Sequence, residues 1–234
     1  MSHDLHSNRF NIYTTIHKGL RSFMCDTLSR LGRLDVQDAD EVSRTLGQLE
    51  HLLDLCVDHL THENNFLHAA MDARSVHSSC KTAMDHAEHL ERIAALREQV
   101  QALDRAPVTD RDTLSLELYR RLALFIAENF EHMHFEETVN CAALWANYSD
   151  AELFGIHGRL ASSLSSRERL DFIRWTAPAC TPAERTDMLR QMRERSPEDC
   201  LGALAYLRLH IDQSGWVKLT RSLDASAPGL VGAA

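Results

Sequence analysis

The chain has 234 residues, and its fourteen histidines stand beside only four tyrosines, nine glycines and five prolines, a balance that favours long helices over short strands joined by turns. A formal charge of −9 offers no broad attraction for phosphate backbones or anionic lipid, which argues against nucleic acid and membrane surfaces as partners. No apolar run approaches the roughly 20 residues that span a bilayer, the first residues lack the basic start and apolar stretch of a secretion signal, and six scattered cysteines form no CxxC pair; the expectation is a cytoplasmic protein with reduced thiols.

Four long segments of helical period come first, divided by breaks near 32–38, 73–79 and 104–110. Connections this short make successive helices antiparallel, which predicts an all-α, up-down-up-down four-helix bundle over residues 1–148. In the first segment Tyr13, His17, Leu20, Met24, Leu28 and Leu31 recur at steps of three or four, so His17 falls on the stripe that faces the core. The second carries Leu49, Leu52, Cys56, His59, Glu63 and Phe66, an HxxxE unit with imidazole and carboxylate one turn apart on one face. In the third, His86 and His89 lead into Ile93, Leu96, Val100 and Leu103. The fourth repeats the HxxxE spacing, with Leu118, Leu122, Phe125, Asn129, His132, Glu136 and Val139 on its stripe.

From Ser149 the segments shorten and start signals recur: Ser149 with Glu152, Ser165 with Glu168, Thr181 with Glu184, and Ser196 with Asp199. Each pairs a hydroxyl with an acid three residues on, the pattern of reciprocal capping, and Pro182 and Pro197 sit where a missing amide donor costs least. A helical extension over 149–234 follows, with the tail from Asp224 and the first eight residues expected to fray.

A carboxylate buried without a partner costs several kcal/mol, and two close together resist joint ionisation. Two glutamates and up to five imidazoles converging from four helices therefore predict cations. That many donors exceeds the need of one tetrahedral zinc and suits two neighbouring ions bridged by Glu63 and Glu136. Apolar neighbours such as Phe66, Ile93 and Phe125 would keep the site dry. His62, His68 and His134 fall off the stripe, and Asp85 or Glu131 is placed to orient ligand rings.

At Ile16-His17-Lys18, His59-Leu60-Thr61-His62-Glu63, Glu88-His89 and His132-Met133-His134-Phe135-Glu136-Glu137 the sequence resembles the hemerythrin, or HHE cation-binding, family, over about residues 10–147. The resemblance implies a non-haem centre of two iron ions, with manganese or zinc as other compatible metals. Its terminal ligands would be His17, His59, His89 and His132, and its bridges Glu63 and Glu136. Family members space their third-helix histidines as HxxxH, whereas this chain has His86-Ala87-Glu88-His89, so His86 joins the candidates as a further ligand. Their fourth helix carries HxxxxD; here Glu136 lies on the stripe and Glu137 follows it. The implied function is binding of dioxygen or a related small molecule for storage or sensing. The alternatives are an enzyme acting on dioxygen, peroxide or nitric oxide, or in iron-related stress repair, and a helical interaction module that uses 149–223 for a protein partner.

Overall fold

The computed structural model describes residues 9–224; the ends expected to fray lie outside the described residues, apart from Asp224, which closes the last helix. The described residues are all-helical, without strands. The long helices are α1 (Thr14–Gly32), α2 (39–74), α3 (Cys80–Arg105) and α4 (108–147). Five shorter ones follow: α5 (Asp150–Ser163), α6 (Ser166–Ala179), α7 (Pro182–Arg195), α8 (Pro197–His210) and α9 (Gln213–Asp224). No helix among the described residues is long and apolar enough to cross a membrane.

The three expected breaks are where the long helices end. Asp38 caps α2 by accepting from the amides of Asp40 and Glu41 at 2.9 and 3.0 Å. Between α2 and α3 the chain turns through His77, whose φ of 66° lies in the left-handed region that L side chains seldom occupy.

Two of the long helices change pitch partway. In α2 an α-helical stretch, Ala39–His62, passes into a π-helical turn, Glu63–His68, before returning to α geometry over Ala69–Arg74. In α4 the same happens at Glu136–Asn140, between Val108–Phe135 and Cys141–Asn147. A π turn holds one residue more than an α turn, so whatever follows it is advanced by one position on the inward face. The stripes predicted by an unbroken 3.6-residue period fail at this point. Phe66 is only partly buried and Leu67 takes the core position; Val139 is 50% exposed while Asn140 is 1% exposed.

The described residues divide into two compact units, one of residues 9–13 and 23–160, the other of 14–22 and 161–224. This differs from the expected division at 148/149: α5 goes almost wholly with the first unit, because Leu153 and Ile156 close an apolar cluster with Ile12, Tyr13, Leu67, Met71, Cys141 and Leu144. Arg9 fastens the same region, donating to the carbonyls of Trp145 and Tyr148 at 2.6 Å each and pairing with Asp150 at 2.9 Å. Within this unit α3 packs on both α2 and α4.

In the second unit α8 packs on α6 and α7, and α9 on α7, around Ile173, Leu189, Cys200, Leu207 and Leu219. Ser165 with Glu168 and Thr181 with Glu184 form the reciprocal caps expected of them. Ser149 and Glu152 do likewise at the start of α5. Ser196 departs from the pattern: its side chain makes no cap hydrogen bond to the helix, although it bonds the Asp199 carboxylate, which also accepts from Arg169 Nε at 2.8 Å. Buried Arg185 donates to the carbonyls of Ala177 and Cys180, satisfying the C-terminal end of α6. All six cysteines are free, four of them buried.

Candidate metal centre

Both HxxxE units reach the interior at the start of a π turn. Glu63 and Glu136 are the first residues of their turns, and the histidine of each pair lies one α turn earlier: His59 Nε2 is 3.3 Å from Glu63 Oε1, and His132 Nε2 is 3.3 Å from Glu136 Oε2. Glu63 is 2% exposed and Glu136 fully buried. On α3, His86 faces both acids, its Nε2 standing 3.5 Å from Glu63 Oε2 and 3.7 Å from Glu136 Oε1.

These side chains form two donor groups. One comprises Glu63, His86, His132 and Glu136; the other His17, His59, Glu63 and Glu136; in each, one ligand atom per residue lies within 4.8 Å of all the others. The two groups share both carboxylates. Glu63 turns Oε1 to His59 of one group and Oε2 to His86 of the other, whereas Glu136 turns Oε1 to His86 and Oε2 to His132. His17 supplies its donor from α1 and is fully buried.

The outer nitrogens of the two rings on α3 and α4 are fixed. His86 Nδ1 donates to Asn64 Oδ1 at 2.8 Å, and His132 Nδ1 donates to Asp85 Oδ2 at 3.3 Å. A neutral ring bonded in this way keeps its lone pair on Nε2. The two Nε2 atoms are 3.1 Å apart, so two lone pairs and two carboxylates point at one small volume. A cation satisfies all four. Bonds of about 2.1 Å give a coordination polyhedron with edges of roughly 3.0–3.4 Å, close to the donor separations observed. The donor set fits a transition-metal ion of nitrogen and oxygen preference, and the shared acids fit a pair of them.

In the metal-free protein protons stand in for the ions. Burial opposes charge on His86, but hydrogen bonds to Glu136 and Glu63 outweigh it and push its pKa up to about 9. Burial and the neighbouring Glu63 oppose ionisation of Glu136, and His132 and His86 more than compensate, holding it below the usual carboxylate range.

Of the seven residues singled out in the sequence, His17, His59, Glu63, His86, His132 and Glu136 come together. His89 does not enter either group. Buried at 4% exposure one turn along α3 from His86, it stands edge-on to His132 with ring centroids 4.9 Å apart. Burial, then the neighbouring His132 and His86, lower its pKa to about 4. Between the two third-helix histidines the geometry therefore favours His86. Glu137 is only partly buried and its neighbour Glu136 takes the interior position.

Several supporting residues were not legible beforehand. His68, off the predicted stripe, is 5% exposed and stacks on His86 at 4.7 Å, with Nε2 3.0 Å from Thr82 Oγ1. That hydroxyl also accepts from Asn140 at 3.2 Å and donates to the carbonyl of Ser79. Tyr13 is fully buried near the acids, and burial together with Glu136 and Glu63 raises its pKa well above the ordinary phenol value. His68 and Asn140 are the last residues of the two π turns, and no feature of composition signals such a turn. Glu131, a candidate for orienting rings, is exposed, and Asp85 has that contact. No known family model, no curated protein and no solved structure matches the chain.

Proposed function

We propose that α1 to α4 form a hemerythrin-like four-helix bundle, with the helices beyond α5 as a C-terminal extension, and that it holds two non-haem iron ions for binding dioxygen or a related small molecule. In this reading Glu63 and Glu136 would be ligands common to both ions, with His17 and His59 holding one ion and His86 and His132 the other. The observation that carries it is the sharing of both carboxylates by two histidine pairs. Iron bound there would supply one-electron redox chemistry at each ion and a coordination position for a small ligand.

The chain's own residues do the rest. Asn64 and Asp85 hold the rings of His86 and His132 with Nε2 inward, which raises their strength as donors. Phe125, buried and edge-on to His89, adds an apolar ring next to the neighbour of His132. The part-buried Phe66 packs instead on the cluster around Leu67. Glu63 and Glu136 supply the negative charge that offsets two cations in a dry interior.

Metal analysis of protein purified from its own source, combined with optical spectra of the reduced and oxidised states, tests this reading. Two irons per chain and a reversible spectral change on admitting and removing dioxygen are expected. A single ion, or a metal without redox chemistry, would overturn it. Steady consumption of peroxide or nitric oxide in place of a reversible adduct would make the protein an enzyme.

A further inference from the structure

Every histidine that faces the acids from α3 and α4 has its outer nitrogen occupied, His86 by Asn64 and His132 by Asp85. His89 differs. Its Nδ1 is sealed from solvent and, among the described residues, has no hydrogen-bond partner. The surroundings do not supply one: the ring stands edge-on to His132 and to Phe125, at 4.9 and 6.0 Å between centroids, and Ile93 follows one turn on. Buried imidazole nitrogens are normally paired, and one left open beside a ligand cluster calls for a partner that the chain itself does not provide.

Coordination is a poor account of this nitrogen. His89 lies outside both donor groups, and His86, one turn earlier on the same helix, already faces the two acids. A guest beside the cluster accounts for it better. The His89 ring lies against the rings of His132 and Phe125, and its Nδ1 is the polar atom it has to offer. Such a site accepts a small linear anion or a diatomic molecule whose far atom takes a hydrogen bond.

We propose that His89 is a positioning residue that hydrogen-bonds, through Nδ1, a small molecule bound beside the His86 and His132 pair, and is not an ion ligand. This rests on the two-ion reading above, and it names the polar contact that would discriminate among guests. A guest with an acceptor atom gains the bond, and one without it leaves the nitrogen unpaired.

The test uses the full chain, loaded with iron, oxidised and titrated with azide, as wild type and as His89→Phe and His89→Gln. Both variants should keep two irons per chain and the wild-type resistance to a competing chelator. Azide should bind about tenfold more weakly to His89→Phe, the loss of one neutral hydrogen bond, with most of the affinity regained in His89→Gln. In the wild type itself, independently of any variant, the infrared stretch of bound azide should shift between H2O and D2O. Equal azide affinity with and without His89, no isotope shift, or no azide binding by two-iron wild type would overturn the inference alone. Loss of an iron from the variants would also overturn it, by making His89 a ligand. Failure of the wild type to take up two ions would overturn this inference and the functional reading together.

Discussion

Asp85 Oδ2 accepts a hydrogen bond from His132 Nδ1 at 3.3 Å, while the same carboxylate is paired with Lys81 one turn away at 2.6 Å. The acid thus fixes the tautomer of a buried ring from a half-exposed position. Asp85→Asn keeps the shape and removes the charge. It should weaken metal binding about 10–100-fold, the usual effect of losing a ring-orienting carboxylate, with little change in helicity. Competition against a chromophoric chelator measures this; unchanged affinity would mean that the contact is incidental.

Sharing of the acids predicts an asymmetry between ligand variants. His17 belongs to one donor group and Glu136 to both. His17→Ala should therefore leave one ion bound tightly, whereas Glu136→Gln should weaken both. Metal counting after gel filtration separates the cases, and a Glu136→Gln protein that keeps one ion at full affinity would contradict the bridging arrangement.

The metal-free protein should be most stable near neutral pH, squeezed from both sides. His86, with its folded pKa raised from 6.5 to about 9, contributes stability that is fully present below 6.5 and is lost as pH rises through 9. His89, depressed from 6.5 to about 4, contributes stability present above 6.5 and lost as pH falls through 4. Each amounts to on the order of 3 kcal/mol. Urea unfolding of the apoprotein between pH 4 and about 10 should show the maximum. Since ion binding must displace the His86 proton, adding metal at pH 7 should also release acid, measurable by calorimetry in two buffers of different ionisation enthalpy.

Gly19 of α1 lies against Thr176 of α6. A Cβ placed there would stand 2.4 Å from Thr176 Oγ1 and 2.9 Å from Thr176 Cα, the latter a backbone atom with no freedom to swing aside. Gly19→Ala should destabilise the unit of 14–22 and 161–224 by about 1–3 kcal/mol despite alanine's better helix propensity. Denaturant melts followed by the fluorescence of Trp175 and Trp216, both in this unit, would register the change.

The inward stripe of the third helix was legible: His86, His89, Ile93, Leu96, Val100 and Leu103 are all buried, as an uninterrupted period requires. In α2 and α4 legibility ended at the glutamates, because periodicity assumes one helical pitch and tertiary packing sets another there. The choice between His86 and His89 lay beyond the sequence for a different reason. Residues three apart share a face, and which one meets the acids depends on how far antiparallel neighbours slide along each other. The role of Gly19 was hidden because its neighbour Thr176 lies on a helix from the far end of the chain.

The two π turns give α2 and α4 a rotation of about 100° relative to their own continuations. Each helix therefore works as two cams on one shaft: the part before the glutamate aims its histidine at the cluster, and the part after it aims Leu67 and Met71, or Cys141 and Leu144, at Tyr13. Removing a single residue from either turn would leave composition and hydropathy almost unchanged and yet turn a whole apolar face toward solvent. The tightest sequence requirement in these helices is thus a spacing, the distance from glutamate to the next inward side chain, rather than the identity of any residue between them.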